Sequence, residues 1–387
     1  MINFTFSTVL MAFLTSAIII LIIDLCFRCK HVLVSIGYKP IAVLITIALL
    51  RLIFPFEIPV SRNIYMNEAF SKAAARIQHT YYTPREFCIS LWQFLECIWL
   101  CGIIINLWKL YLSTRDFKRY IIRHGVNVTS KEPYHLCLSK ITEGRIPKLQ
   151  VYLVPGLKIP QQSGFFHPKI LLPTGMNLTE TQLYYALCHE AEHVRKKDAL
   201  IKFGTNILKA LYWWNPFIYL LSKQIDTTIE FRVDSKFAPE SIHTKKEYVN
   251  TLMHVAVQAK KLTECGQPQK EDCILLNSLS VPITGGSMKD MEMRLPMIYE
   301  QKKPFVPLTA ILMALVLTLY ASSYLYIFEA YYVSDTAVTE ASGRELTPDE
   351  MHAVELENGT YDIYWKDIKI EHSDSLEYYP LVPVTNK

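Results

Sequence analysis

The chain has 387 residues, a net charge of +4 and a hydrophobic content of 51%. The apolar residues are concentrated in blocks of membrane-spanning length, which argues against a soluble protein and indicates an integral membrane protein. Basic residues do not cluster with interleaved aromatic residues, so we expect no direct nucleic-acid binding. The segment from Phe328 onwards contains 13 acidic and four basic residues, a net charge of −9, which leaves +13 for the remainder.

Four apolar segments meet or approach the roughly 20 residues that a helix needs to cross a bilayer. They predict about four transmembrane helices, at residues 4–23, 35–54, 87–112 and 304–328. The second segment is interrupted by Lys39 and Pro40. We therefore expect a multi-pass α-helical membrane protein, with three helices in residues 1–112 and a fourth after a large polar region.

Basic residues predict the orientation of the chain, because they accumulate on the cytoplasmic side of membrane proteins. Lysine and arginine residues follow the first and third segments, and Lys302 and Lys303 precede the fourth. These flanks place the N-terminus outside, residues 113–303 in the cytoplasm, and the short acidic tail of residues 329–387 outside the cytoplasm. The loop of residues 56–86 carries four basic residues and runs against this pattern.

The polar region between the third and fourth segments has the pattern of an α+β domain. Residues 149–154 and 169–172 resemble strands. Thr179 is a suitable N-cap for a helix from Glu180 to about Lys196, and two further helices follow, the second beginning at Asn215. In the tail, alternating aromatic and polar residues at 360–370 predict short strands.

A His-Glu-x-x-His pattern is formed by His189, Glu190 and His193. Residues four apart share one face of a helix, so the two imidazoles can direct nitrogen atoms at one metal ion. Glu190 lies on the adjoining face, where its carboxylate can act as a general base on a water molecule. A chance match on a surface helix is the alternative interpretation.

A catalytic zinc ion needs a third protein ligand and an open fourth position. Glu230 is the candidate ligand, and Asp234 lies four residues later on the same helix face. In this arrangement the glutamate would bind the metal, and the aspartate would accept a hydrogen bond from a ligand histidine. Alternatively, the two carboxylates are solvated charges on a surface helix.

Taken together, these motifs resemble the BlaR/MecR family of membrane zinc metallopeptidases, the bacterial β-lactam sensor-transducers and their relatives. The resemblance covers roughly residues 1–328 and rests on the order and spacing of four segments: 168–173, 187–198, 214–216 and 230–234. It implies three N-terminal helices, a cytoplasmic gluzincin-like zinc protease domain inserted before a fourth helix, and an external C-terminal sensor, all in a bacterial cell membrane. The tail departs from the family, because it has no Ser-x-x-Lys motif of a penicillin-binding sensor domain.

The resemblance also implies a mechanism, in which Zn²⁺ is held by His189, His193 and Glu230 while Glu190 transfers protons. We expect a peptide substrate to lie antiparallel to an edge formed by residues 164–172, because zinc proteases often bind substrate by strand addition. Four residues of that edge would then line the cleft: Gly164, Phe165, Phe166 and His167. For His167 an ordinary role as an edge-strand histidine is favoured over stabilisation of the transition state. Asn215 either orients substrate or caps the helix that follows it.

The function that the resemblance implies is signal-dependent hydrolysis of peptide bonds in a cytoplasmic protein. Two substrates fit this function: the chain itself, cleaved between Leu276 and Met288, and a winged-helix transcriptional repressor. Besides the lipid bilayer, a second copy is a further expected partner, since a homodimer is compatible with the sequence. Two alternative functions are a housekeeping protease for membrane-protein quality control and a non-catalytic membrane sensor that signals by docking.

Overall fold

The computed structural model describes residues 6–56, 61–65, 81–82, 89–142, 149–164, 166–237, 241–264, 288–299, 305–329, 351–356, 360–365, 368–373, 376 and 382–386. Phe165 and nearly all of the predicted cleavage segment, residues 276–287, lie outside this set. The chain divides into two compact units. The larger unit comprises Met1–Val60 and Cys97–Leu325, and the smaller unit comprises Ser61–Glu96 and Tyr326–Lys387.

Three helices among the described residues are long and apolar enough to cross a membrane: α1 (Phe6–Arg28), α4 (Leu91–His124) and α11 (Val306–Leu325). They lie where the first, third and fourth apolar segments predict them. The apolar parts of α4 and α11 are almost entirely exposed, as expected of helices whose outer surface faces lipid. The helix α4 extends beyond its predicted end because Phe117 and Ile121 pack against the buried strand residue Leu171.

The second predicted segment is not one continuous helix. The helices α2 (Lys30–Ile36) and α3 (Tyr38–Ile53) meet at Gly37 with a bend of 93°. Gly37 has φ +78° and ψ 169°, a conformation that is essentially restricted to glycine. Pro40 is tolerated because it lies in the first turn of α3, where its missing N–H has no helical partner to lose. The pair forms a broken span or a re-entrant segment, so the described part of the chain contains three candidate spans, or four if the bent pair counts as one.

A four-stranded mixed sheet forms the β part of the larger unit, in the order β4–β5–β7–β6. Its strands are β4 (Val126–Asn127), β5 (Gln150–Val154), β6 (Gln161–Ser163) and β7 (Lys169–Pro173). Parallel pairing joins β5 to β7, whereas β4 and β6 are antiparallel strands at the two edges. One apolar core joins this sheet to α5 (Tyr134–Thr142) and to the next helix, α6.

Five helices complete the larger unit: α6 (Glu180–Lys196), α7 (Asp198–Leu211), α8 (Pro216–Asp234), α9 (Ile242–Glu264) and α10 (Met288–Tyr299). The predicted start of α6 is confirmed, since Thr179 and Gln182 form a reciprocal capping box. At the other end Lys197 adopts a left-handed conformation, which turns the chain directly into α7. The apolar face of α8 packs in a core with α1, α3 and α11.

The smaller unit contains three sheets among its described strands. The strand β1 (Arg62–Tyr65) pairs in parallel with β8 (Tyr326–Glu329), and β2 (Tyr81–Tyr82) pairs with β3 (Ile89–Ser90). A four-stranded sheet has the order β11–β10–β9–β12, from β9 (Met351–Glu355), β10 (Tyr361–Trp365), β11 (Ile368–Ser373) and β12 (Val384–Asn386). The strands predicted in the tail are therefore confirmed.

We expect Gly37→Ala to lower the free energy of unfolding by roughly 1–3 kcal/mol, because alanine is strained in this backbone region. No atom lies within 4 Å of the Cβ position, so the loss reflects the backbone alone. Gly204→Ala in α7 is the matched control: its Cβ position is equally open, and alanine favours a helix by about 1 kcal/mol. Thermal unfolding in detergent measures both variants, and an unchanged Tm for Gly37→Ala contradicts the assignment.

Candidate metal centre

The helix α6 brings the His-Glu-x-x-His residues together at a buried position. His189, Glu190 and His193 are at most 7% exposed, and potential ligand atoms of the three lie within 4.8 Å of one another. The Nε2 atoms of His189 and His193 are 3.1 Å apart. A surface helix with a chance pattern is therefore wrong for this segment.

The helix α8 supplies the carboxylate of Glu230 to the same point. Its Oε2 lies 3.3 Å from Nε2 of His189, and its Oε1 lies 3.7 Å from Nε2 of His193. Glu230 is 3% exposed, and neither carboxylate oxygen has a hydrogen-bond donor among the described residues. One carboxylate oxygen of Glu190 is likewise buried without a hydrogen-bond partner in that set. Buried carboxylate oxygens are costly without a partner, so this cluster calls for a cation.

The tautomer of His193 follows from its outer neighbour. Its Nδ1 lies 2.8 Å from Oδ2 of Asp198, the first residue of α7. A carboxylate only accepts hydrogen bonds, so Nδ1 carries the proton and Nε2 presents a lone pair to the centre. Arg232 on α8 is hydrogen-bonded to both carboxylate oxygens of Asp198 and fixes that residue in turn. Asp198, held by Arg232, therefore fixes the orientation of the His193 ring, which is the role that carboxylates behind the ligand histidines have at metal sites.

His189 is oriented by a tyrosine that the sequence analysis did not identify. Its Nδ1 lies 2.8 Å from the hydroxyl oxygen of Tyr248 on α9, and this hydroxyl donates to Oδ1 of Asp234 at 2.7 Å. Burial, together with the charge of Asp234, raises the pKa of Tyr248 well above its usual value, so the hydroxyl stays protonated. Asp234 therefore acts on His189 through Tyr248. The expected direct hydrogen bond is not formed, because the nearest atoms are 3.9 Å apart.

Arg294 on α10 closes the site from a fifth helix. Its Nε and Nη2 each donate to Asp234 at 2.7 Å, and its Nη1 lies 3.3 Å from Oε2 of Glu230. Its side chain is 2% exposed, so the guanidinium compensates two carboxylates away from water. Bidentate guanidinium–carboxylate geometry of this kind is strong and fixes orientation.

Burial and charge act in opposite directions on the groups of the centre. Burial raises the pKa of Glu230, but Arg294 and the two histidines outweigh it and hold that pKa well below its usual range. Burial lowers the pKa of His193, but Glu230 and Asp198 outweigh it and raise that pKa. The pocket thus favours an ionised glutamate and a positive charge between the ligands.

The donor set fits a divalent metal ion. Two Nε2 lone pairs and one carboxylate converge from α6 and α8, and a catalytic zinc site uses three protein ligands of these two types. Formal charges can be counted over four carboxylates and two guanidinium groups: Glu190, Asp198, Glu230 and Asp234, with Arg232 and Arg294. They leave a net charge of −2, which one divalent cation neutralises.

An apolar cavity gives access to the centre. His189, Glu190 and Glu230 form part of its wall, together with Arg294. The remaining wall is largely apolar and comprises Ile159, Pro160, Leu252, Val255, Ala256 and Met291. Excluding water in this way strengthens the electrostatic interactions inside a catalytic site.

The prediction that residues 164–172 form the edge that binds substrate is wrong, because β7 is an inner strand and the neighbouring strand β6 is at the edge. The strand β7 lies between β5 and β6, so most of residues 164–172 cannot accept an added strand. The strand β6 is one of the two edge strands of the described sheet, and the residues immediately before it, Ile159 and Pro160, line the cavity. Strand order depends on tertiary pairing, which the local sequence pattern does not contain.

The other predicted substrate contacts lie in the turn between β6 and β7. Gly164 has φ +87°, and a Cβ there would lie 2.7 Å from the carbonyl oxygen of His167, so glycine is required for the turn. Phe166 is 91% exposed and His167 is exposed. Neither belongs to a strand, so an edge-strand role for His167 is also wrong.

Asn215 has the helix-capping role. Its Oδ1 accepts from the N–H of Phe217 at 2.8 Å at the start of α8. Glu230 lies 15 residues further along the same helix, a distance of about 22 Å at 1.5 Å per residue. Asn215 is therefore too far from the metal centre to orient a scissile bond there.

We expect Tyr248→Phe to weaken Zn²⁺ binding about 10- to 100-fold, because it removes the group that fixes the His189 imidazole. Tyr185→Phe is the matched control, since the Tyr185 hydroxyl donates to Glu247 of the same helix, α9, at 3.1 Å. Competition with a chromogenic chelator measures the affinity of each purified variant. Equal affinities for the two variants would show that Tyr248 does not orient a ligand.

Comparison with known proteins agrees with this geometry. The sequence profile of the family described as BlaR1 peptidase M56 matches residues 7–273, more than half of the chain. Regulatory protein BlaR1 of Bacillus licheniformis is 26% identical over 142 residues, which are 35% of this chain and 23% of that protein. The match thus spans about a quarter of the relative's length. Arg294 lies beyond the residues that the profile matches, whereas His189, Glu190, His193 and Glu230 lie within them. The chain belongs to the BlaR1 peptidase M56 family of membrane metallopeptidases.

Proposed function

We propose that this chain is a zinc-dependent endopeptidase of the bacterial cell membrane, which cleaves a cytoplasmic protein in response to an extracytoplasmic signal. The convergence of two lone-pair Nε2 atoms and an ionised carboxylate beside Glu190 is the observation that supports it most strongly. The family membership supports peptidase chemistry and a membrane location.

In the proposed reaction the protein residues position a water molecule, move its proton and hold the peptide. Zn²⁺ bound by His189, His193 and Glu230 would act as a Lewis acid on the scissile carbonyl and the attacking water. Glu190 accepts the proton from that water and later donates it to the leaving amine. Glu190 lines the cavity, and one of its carboxylate oxygens has no hydrogen-bond partner among the described residues, which suits this role.

The substrate backbone is proposed to add as a strand to the free edge of β6. This edge begins next to Pro160 in the cavity wall, so an extended peptide there passes the metal ligands. An internal substrate, residues 276–288, and a winged-helix repressor remain the two proposed targets, and a homodimer remains a prediction.

The proposed topology keeps the metal centre in the cytoplasm and the tail outside it. The basic residues that flank α1, α4 and α11 support this orientation. The smaller unit contains both the loop after α3 and the tail after α11, joined by the β1–β8 pairing. These segments share one side of the membrane when α4 and α11 each cross it once.

We expect Glu190→Gln to reduce cleavage of a denatured protein mixture by about 10²–10⁴-fold, because it removes the general base. One equivalent of zinc should stay bound, since Glu190 is not among the three ligands. Glu192→Gln is the control, in which we expect cleavage to persist. Burial raises the pKa of Glu192, but pairing with Arg195 and Lys236 outweighs burial and lowers that pKa to about 2, so this carboxylate is held by its two partners.

Elemental analysis of the purified full-length protein measures the bound zinc, and peptide-level mass spectrometry measures the cleavage of the protein mixture. Wild-type protein without stoichiometric zinc contradicts the proposed metal site. Wild-type protein that binds zinc but cleaves no better than Glu190→Gln supports the alternative of a non-catalytic docking sensor.

A further inference from the structure

A hairpin of the larger unit runs alongside a candidate membrane span over most of its length. The α7–α8 hairpin comprises Asp198–Leu211 and Pro216–Asp234, joined by residues 212–215. Its second helix follows α1 in a constant register, with partners 204 positions apart. Three pairs define this register: Phe13 with Phe217 (ring centroids 6.0 Å), Ile20 with Gln224 (O to Nε2 3.1 Å) and Phe27 with Phe231 (ring centroids 6.1 Å).

The length of this contact shows how deep the hairpin reaches. The three pairs are seven residues apart, two turns of helix, so α8 accompanies α1 for about 21 Å. This distance is roughly two thirds of a 30 Å hydrocarbon core. Because α1 is a candidate span from Thr8 to Arg28, a helix beside Phe13–Phe27 lies at membrane depth.

The tip of the hairpin contacts two further membrane helices, α3 and α4, as well as α1. The Tyr212 hydroxyl donates to the carbonyl of Leu52, one residue before the end of α3, at 2.6 Å. Trp213 donates to the carbonyl of Trp99 on α4 at 3.4 Å, and Trp99 in turn donates to the carbonyl of Leu211 at 2.9 Å. Ring contact with Phe13, at 5.4 Å between centroids, links Trp214 to α1.

The hairpin also carries large apolar side chains that are exposed at its surface. Four large side chains are between 42% and 55% exposed: Leu200, Ile201, Trp214 and Tyr219. Exposed apolar groups that continue the surface of membrane helices are best covered by lipid. Of the charged groups on the hairpin, Lys202 is buried and lies 3.9 Å from Asp226, which lowers the cost of placing both inside a bilayer. Lys223 is exposed, and its long side chain would extend towards the membrane surface.

We infer that the α7–α8 hairpin enters the bilayer as a re-entrant element of the peptidase and that its exposed apolar side chains contact lipid acyl chains. The hairpin returns to the side from which it enters, so it adds no span. Its Lys, Asp and Glu residues keep its mean hydropathy below that of a spanning helix, although its neighbours lie within the membrane.

The same register sets the depth of the metal centre. Phe27 is the penultimate residue of α1, and its stacking partner Phe231 directly follows the ligand Glu230. The ligand therefore lies at the level where α1 leaves the bilayer. Resting on the proposed function, this depth favours peptide segments immediately next to the membrane as substrates, such as a chain that leads into a transmembrane helix.

Photocrosslinking tests the lipid contact directly. Benzoylphenylalanine is placed at Tyr219 or Leu200 of the full-length protein in phosphatidylethanolamine–phosphatidylglycerol vesicles, and lipid adducts are read by mass spectrometry. Trp108, 60% exposed on α4, is the positive control, and Phe166, 91% exposed in the turn between β6 and β7, is the aqueous control. Two positions keep the test valid if one variant does not fold.

We expect lipid adducts at Tyr219 and Leu200, as at Trp108, and no lipid adduct at Phe166. Adducts to a second copy or to another protein at Tyr219 and Leu200 would overturn the inference, and so would yields as low as at Phe166. Because crosslinking requires no cleavage, this result is independent of whether the proposed peptidase activity is found.

Discussion

Two imidazole lone pairs and a carboxylate that face one another in a buried space are the constraint on which this structure depends. At 3.1 Å between Nε2 atoms, His189 and His193 repel each other unless a cation lies among them. The surrounding residues preserve this arrangement, since Asp198 fixes one ring and Tyr248 the other. The outer carboxylates are in turn paired with arginines, so a single divalent charge balances the whole cluster.

His189, Glu190 and His193 could be predicted from the sequence because they lie on one helix, and Glu230 and Asp234, on another helix, were predicted from their own four-residue spacing and the family resemblance. Helical geometry alone places His189 and His193 on one face, and the capping box at Thr179 fixes where that helix begins. Tyr248 and Arg294 could not be predicted, because each lies on a separate helix and reaches the site only through tertiary packing. Asp198 would have been easier to predict from the sequence, since it is five residues beyond His193 and begins the next helix.

The same distinction explains where the fold differs from expectation. Hydropathy located the apolar segments, but the 93° bend at Gly37 depends on a single backbone conformation that composition does not reveal. Strand patterns located β5 and β7, but they could not show that β6 lies at an edge. The two helices of the α7–α8 hairpin were predicted, but their proposed depth in the membrane was not, because pairing of charged groups such as Lys202 and Asp226 depends on how the two helices pack.

The elements that supply the metal centre are also the elements that hold the membrane helices together. The helix that carries Glu230 packs along α1, and α10, which carries Arg294, is separated from α11 by six residues, 300–305. Removing a guanidinium from a buried carboxylate costs about 3–5 kcal/mol, because an uncompensated charge remains. A displacement of α11 that pulled Arg294 from Asp234 would carry that cost, so α10 and α8 are constrained to move together. The geometry of Glu230 and the position of α10 are thereby linked through the contacts of Arg294 with Glu230 and Asp234.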